Sequence, residues 1–195
     1  FHWYWDTGNG DIGNTGPHQF DLARTLRRFD EARALIADSK GVFIDHQDDK
    51  RIVLATFSEG VLLQRMKHYR EARETYRLLL SSGIPIEPSV VAALHRAIGF
   101  ASIGLGDYAD AETNLIQSIE INRQLAQPIE VIRGQYAFGR LLTQRGDAEK
   151  AIRYLRPIRR EFLRHALIEE AGLCGLEIVE GMLTLGNYSG AETLA

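Results

Sequence analysis

Alanines return along this chain at a fixed stride, and that stride constrains the fold more than any other feature. "RRFDEA" ends at Ala32, "KHYREA" at Ala72, "GDYADA" at Ala111, "GDAEKA" at Ala151 and "GNYSGA" at Ala191, at intervals of 40, 39, 40 and 40 residues. Five copies in register imply a stacked array of one supersecondary unit, each copy burying its apolar face against the next. Twelve residues before the alanines of the inner copies stand Gly60, Gly99 and Gly139, while Phe20 and Val179 hold that slot in the outer ones. Between the two positions the last three copies place Gly106-Asp107, Gly146-Asp147 and Gly186-Asn187. Glycine suits the left-handed residue that ends one helix, and Asp or Asn caps the start of the next. Each copy therefore reads as helix, tight turn, helix.

The small residues have a steric purpose. Two antiparallel helices joined by so short a turn approach closely only where side chains are missing, and Gly99 opposite Ala111 would supply that gap, with Tyr108 closing the end of the pair. Helical periodicity agrees: Val90, Leu94, Ala97, Ile98, Ala101 and Leu105 follow one apolar face. Pro88 and Pro128 sit near the expected starts of first helices, where a missing N–H does no harm, and Asp48 and Asp49 suit the same place in the second copy. No alternating strand pattern appears from Phe20 to Ala195. Pro157 falls inside the second helix of the fourth copy, where a bend is expected.

These residues resemble tetratricopeptide repeats (TPR), on the strength of the glycine, the alanine twelve positions later and the aromatic three before that alanine. The resemblance covers about residues 17–195 and implies an all-α fold: an α-solenoid of antiparallel helix pairs, a right-handed superhelix of about four and a half repeats. The period exceeds the family's usual length by about six residues, which implies longer helices or loops. The tryptophan expected early in the first helix is replaced by Thr56, His95 and Gln135. Residues 1–16, "FHWYWDTGNGDIGNTG", read as a glycine- and aromatic-rich irregular segment or linker. The chain lacks an initiator Met and stops at "GAETLA" within a helical pattern, so a piece of a longer polypeptide is expected.

Motifs with catalytic or ligand chemistry fail on context. "GNGDIG" (8–13) fits a dinucleotide-binding fingerprint, but no parallel sheet follows. "WYWDTG" resembles an aspartic protease motif present only once, and "DTGNGD" lacks the bidentate glutamate of a calcium loop. The six histidines (His2, His18, His46, His68, His95, His165) form no metal motif and read as surface or interhelix residues. Cys174, the single cysteine, permits no internal disulfide and reads as buried packing. No enzymatic activity, cofactor or metal site is expected. With 45% hydrophobic residues, 25% charged residues and a net charge of −3, the composition suits a globular cytoplasmic protein and argues against wholesale nucleic-acid binding.

The resemblance implies a partner site in the concave groove lined by first helices. Carried over by register, its partner-binding residues are Phe57, Val61 and Arg65 in the second repeat, Arg96 and Phe100 in the third, and Arg133, Tyr136 and Arg140 in the fourth. Leu54, Ile103, Gln144, Leu176 and Glu180 complete the lining. Arginines interleaved with aromatics suit an acidic or carboxylate-bearing protein or peptide; the alternative is that these arginines pair with residues such as Glu130. The Lys/Asn carboxylate clamp of some family members is not present, since Val61 and Phe100 hold slots where asparagine is wanted. The expected function is a non-catalytic protein or peptide interaction module, a scaffold within a larger bacterial regulatory protein; no membrane association is expected. Two alternatives stand beside it. One is a sensing array that changes superhelical shape on binding a peptide or small molecule. The other is a nucleic-acid or acidic-domain contact through Arg153, Arg156, Arg160 and Arg164, with Arg159 and Lys150, a stripe that is more ordinarily a solvated surface.

Overall fold

The computed structural model describes residues 28–186 of the 195-residue chain. The "GNGDIG" and "WYWDTG" segments, Phe20 and Ala191 lie outside that range. The described residues are helical and contain no strand. They divide at Ile86/Glu87 into two compact units.

The first unit holds α1 (Phe29–Asp45), α2 (Asp49–Arg65) and α3 (Tyr69–Ser81), each packed on the next. The second holds α4 (Pro88–Gly104), α5 (Tyr108–Gln124), α6 (Pro128–Gln144), α7 (Ala148–Arg164) and α8 (Ile168–Thr184), again packed in chain order. By register α1 is the second helix of the first repeat and α8 the first helix of the fifth.

Seven of these helices are 17 residues long, and short turns of one geometry join them within each unit. In every such turn one residue has positive φ: Gln47, Lys67, Gly106, Ala126, Gly146 and Ala166. Its N–H and the next one bond back to the carbonyls of the closing helix, as in Gly106 to Ile103 (3.0 Å) and Asp107 to Ser102 (2.9 Å). The same pair recurs from Ala126 to Arg123 and from Gln127 to Asn122. This is a Schellman-type stop, which satisfies carbonyls the helix leaves open. The spacing of 20 residues accounts for the long period: two 17-residue helices with two three-residue turns make 40. The one interval of 39 contains the exception, where α3 is 13 residues long and an irregular stretch with Gly83 leads to Pro88 at the first turn of α4. Pro128 likewise opens α6. Asp48 and Asp107 cap α2 and α5, accepting from the Arg51 and Asp110 N–H groups. Asp147 makes no such bond; Arg145 takes its carboxylate instead (2.8 Å).

The glycines open the close approach, although the side chain filling it differs from expectation. Ala111 is fully buried and its carbonyl would lie 3.4 Å from a Cβ on Gly99, but Leu115 occupies the gap, with Cγ and Cδ2 at 2.7 Å from that position. Tyr76 meets Gly60 and Leu155 meets Gly139 in the same way, each sixteen residues on and one turn past the alanine. Tyr108 packs against the core that holds Ala111 and Leu115 and also reaches beyond its own pair. Its hydroxyl donates to the Gln144 carbonyl (2.9 Å) at the end of α6, so it ties its own helix pair to the following one. Helix α7 continues through Pro157, which stands on the exposed side.

Candidate interaction face

The helix order decides which side of the second unit can hold a common site. Helix α4 touches α6, and α6 touches α8, with no comparable contact between α5 and α7. The first helices of successive repeats thus form one closely spaced layer, and their side chains meet across it.

That layer carries a ladder of charge pairs. Arg96 on α4 reaches Glu130 on α6 at 2.8 Å, and Glu130 also receives Arg133 at 2.6 Å. Arg133 extends to Glu170 on α8 at 2.7 Å, and Arg140 lies 2.7 Å from Glu177 one helical stretch further on. Arg133 and Arg140 are seven residues apart, as are Glu170 and Glu177, so both pairs repeat after two turns of two neighbouring helices. The Arg140 guanidinium also stands over the Phe100 ring, 5.4 Å from its centroid, a cation–π contact between α6 and α4.

Burial divides the ladder. Arg96 is 7% exposed and sits within the layer, whereas the Arg140 side chain is 39% exposed. Burial pushes the Glu130 carboxyl up, but Arg96 and Arg133 outweigh it and hold the group below its ordinary range. Glu177 goes the other way: burial raises it, Arg140 offsets this only in part, and its Oε2 has no hydrogen-bond partner among the described residues. Burial likewise raises the half-buried Tyr136 phenol, whose ring packs edge-on to Phe162 with centroids 5.9 Å apart.

The layer brings together five of the eight residues assigned to partner binding: Arg96, Phe100, Arg133, Tyr136 and Arg140. Phe57, Val61 and Arg65 belong to α2 in the first unit. There Phe57 is 5% exposed and packs on Tyr76 with ring centroids 5.3 Å apart, Val61 is half-buried and Arg65 is exposed. Leu176 and Glu180 are exposed on α8, whereas Glu170 and Glu177 face α6. Register within the repeat points to the former pair. The partners actually used lie 37 residues after their arginines, three short of the period. A search for Arg and Glu at that offset would have found both.

Other singled-out residues make local or interhelix contacts. His95 shares a 2.9 Å hydrogen bond with Asn114 across the α4/α5 pair, and His46 and His68 contact groups within their own segments. Cys174 is fully buried in the core of α6–α8, and burial pushes its thiol up to about 12. Among the described residues no three His, Cys, Asp or Glu side chains are grouped to hold a metal ion, and no helix is long and apolar enough to cross a membrane.

No model of a known protein family matches the sequence, and no curated protein does. Solved structures do match. A single-substitution variant of nearly identical TPR-like repeats, from a chain described as a kinesin light chain of Podosopora anserina, aligns over 91% of this chain and 90% of its own. The TM-score is 0.66 at 14% identity. A second structure of those repeats aligns over 94% and 93%, with a TM-score of 0.65 and 14% identity. The fold is TPR-like: an all-α solenoid of helix pairs.

Proposed function

We propose, with the TPR-like fold as premise, that this chain is a non-catalytic interaction module which takes a peptide or protein segment on the groove side of its first helices. One observation carries the reading: the contacting layer α4/α6/α8 holds Phe100 and Arg140 stacked, ion-paired and still partly open to solvent. A side chain already held by its neighbours loses little freedom when a partner arrives, which lowers the cost of binding. The ladder matches three arginines with three glutamates, so an acidic partner would be recognised by the oriented guanidinium donors of Arg140 and less by net charge. Buried Arg96 positions Glu130 and Arg133 behind it. Within the first unit, exposed Arg65 on α2 offers the same chemistry. TPR-like arrays generally act as protein-interaction scaffolds, and on this reading the array serves a larger regulatory protein of the bacterial cytoplasm.

The test is a peptide-array selection with the 195-residue chain, repeated with Phe100→Ala and Arg140→Gln. Capture of the selected sequences should fall about tenfold for each variant, while the far-ultraviolet dichroism stays helical. Undiminished capture by both folded variants would refute the site.

A further inference from the structure

One helix of the second unit carries a charge pattern that its fold does not use. Helix α7 buries Ala151, Leu155, Ile158 and Phe162 and exposes Lys150, Arg153, Arg156, Arg160 and Arg164. It has six basic and two acidic residues, +4. The rest of residues 87–195 has five basic and twelve acidic residues, −7.

The first-helix arginines of this unit pair with glutamates, and so do Arg123 and Arg145 on the other helices and turns. On α7, Lys150 lies near Asp147 at 3.9 Å and Arg164 pairs with Glu161. Arg153, Arg156 and Arg160 have no carboxylate partner among the described residues. Three like charges at three- and four-residue spacing repel along a helix and weaken it, and this helix also accommodates Pro157. Packing explains the buried side of α7 and leaves the exposed side unexplained.

We infer that the exposed face of α7 docks an acidic α-helix of a partner protein, whose carboxylates repeat at three- and four-residue spacing. The geometry matches because both partners share one rise per residue: Arg153 to Arg164 spans about 16 Å, four successive guanidinium positions for one side of a partner helix. Arg153, Arg156 and Arg160 each offer a planar fork for bidentate carboxylate binding, and Arg164, paired with Glu161, adds positive charge at the end of the stripe. Pro157 within the stripe and Leu163 at its margin, 45% exposed, add apolar contact. Charge distribution favours a short acidic helix over nucleic acid. A duplex extends past the stripe toward a unit whose other residues carry net negative charge, whereas a short acidic helix contacts the stripe alone. The stripe also carries no aromatic side chain on which bases could stack.

The experiment uses the 195-residue chain and fluorescent probes: an alanine-based helix with glutamates at i, i+3, i+4 and i+7, the same composition interrupted by proline, a lysine-for-glutamate version, and a short DNA duplex. The helical acidic peptide should bind at low salt and more weakly at about 0.15 M. The proline-interrupted peptide should bind about tenfold less tightly or worse. The triple reversal Arg153→Glu/Arg156→Glu/Arg160→Glu should lose the acidic helix by a similar factor and gain the lysine helix. Arg153→Gln/Arg156→Gln/Arg160→Gln, which adds no negative charge, should lose the first without gaining the second. Thermal melts monitored by dichroism establish that the variants are folded. Absence of binding, binding indifferent to both triple substitutions, or duplex binding as tight as that of the acidic helix would each overturn the inference.

Discussion

At the scale of single residues, backbone conformation and charge pairing carry most of the information. Ala126 and Ala166 adopt positive φ at turns where Gly106 and Gly146 stand in the alternate connections. A left-handed alanine costs about 1–2 kcal/mol, while glycine adds freedom to the unfolded chain. Ala166→Gly should therefore raise stability by about 0.5–1 kcal/mol in urea unfolding. Equal or lower stability would mean that the turn relaxes this strain elsewhere. Those alanine turns, like the ones at Gln47 and Lys67, escape a search for glycine punctuation, so the 20-residue half-period behind the 40-residue repeat was not legible in the sequence.

Glu130 and Glu177 offer a second residue-scale prediction because their shifts have opposite signs. A carboxyl held low in the fold contributes stability that is present above its unfolded pKa and lost as pH falls through the folded one. Glu130 is of that kind, so the deficit of Glu130→Gln should be widest near neutral pH and close on acidification. For a raised carboxyl the stability is present at low pH and lost as pH rises through the folded value. Glu177→Gln should consequently improve relative to the parent chain as pH rises. Denaturant titrations from acid to neutral pH check both slopes; parallel curves for the two variants would contradict the assigned environments.

At the scale of the helix pair, the fit of glycine to a large side chain is the structural unit. Gly60 receives Tyr76, Gly99 receives Leu115 and Gly139 receives Leu155. A methyl group on Gly139 meets the Leu155 side chain directly, and overpacking of this kind costs about 1–3 kcal/mol even though alanine is the better helix former. Truncating Leu155, which is fully buried, should cost about 2–5 kcal/mol alone. In combination the two substitutions should cost less than their sum by about 0.5–2 kcal/mol, because the smaller side chain leaves room for the added methyl. Strict additivity in the double-mutant cycle would mean that the two positions do not share one space.

The twelve-residue interval from glycine to alanine made this pairing visible in the sequence, because helix-pair packing leaves its mark within one repeat. The large residue four positions further on was harder to see. Tyr76, Leu115 and Leu155 differ in shape, and apolar residues are common on any buried face.

At the scale of the whole molecule, the helices within each unit meet their neighbours in chain order, as expected for an array whose stability is a sum of local and nearest-neighbour terms. A lesion should accordingly be felt locally. Gly60→Ala, which presses on Tyr76, should raise amide exchange in α2 and α3 while α7 and α8 keep their protection. Uniform loss of protection through all the described helices would show a single cooperative unit instead.

The period, the small residues and the turn glycines determined the helix-pair solenoid from sequence alone, because contacts inside a pair join residues at short, recurring separations. Only the tertiary structure decided how the arginines of the first helices are used. Arg133 and Arg140 on α6 find Glu170 and Glu177 on α8, the next first helix, across a contact between two non-consecutive helices. That contact depends on how neighbouring repeats pack, and no single repeat contains it.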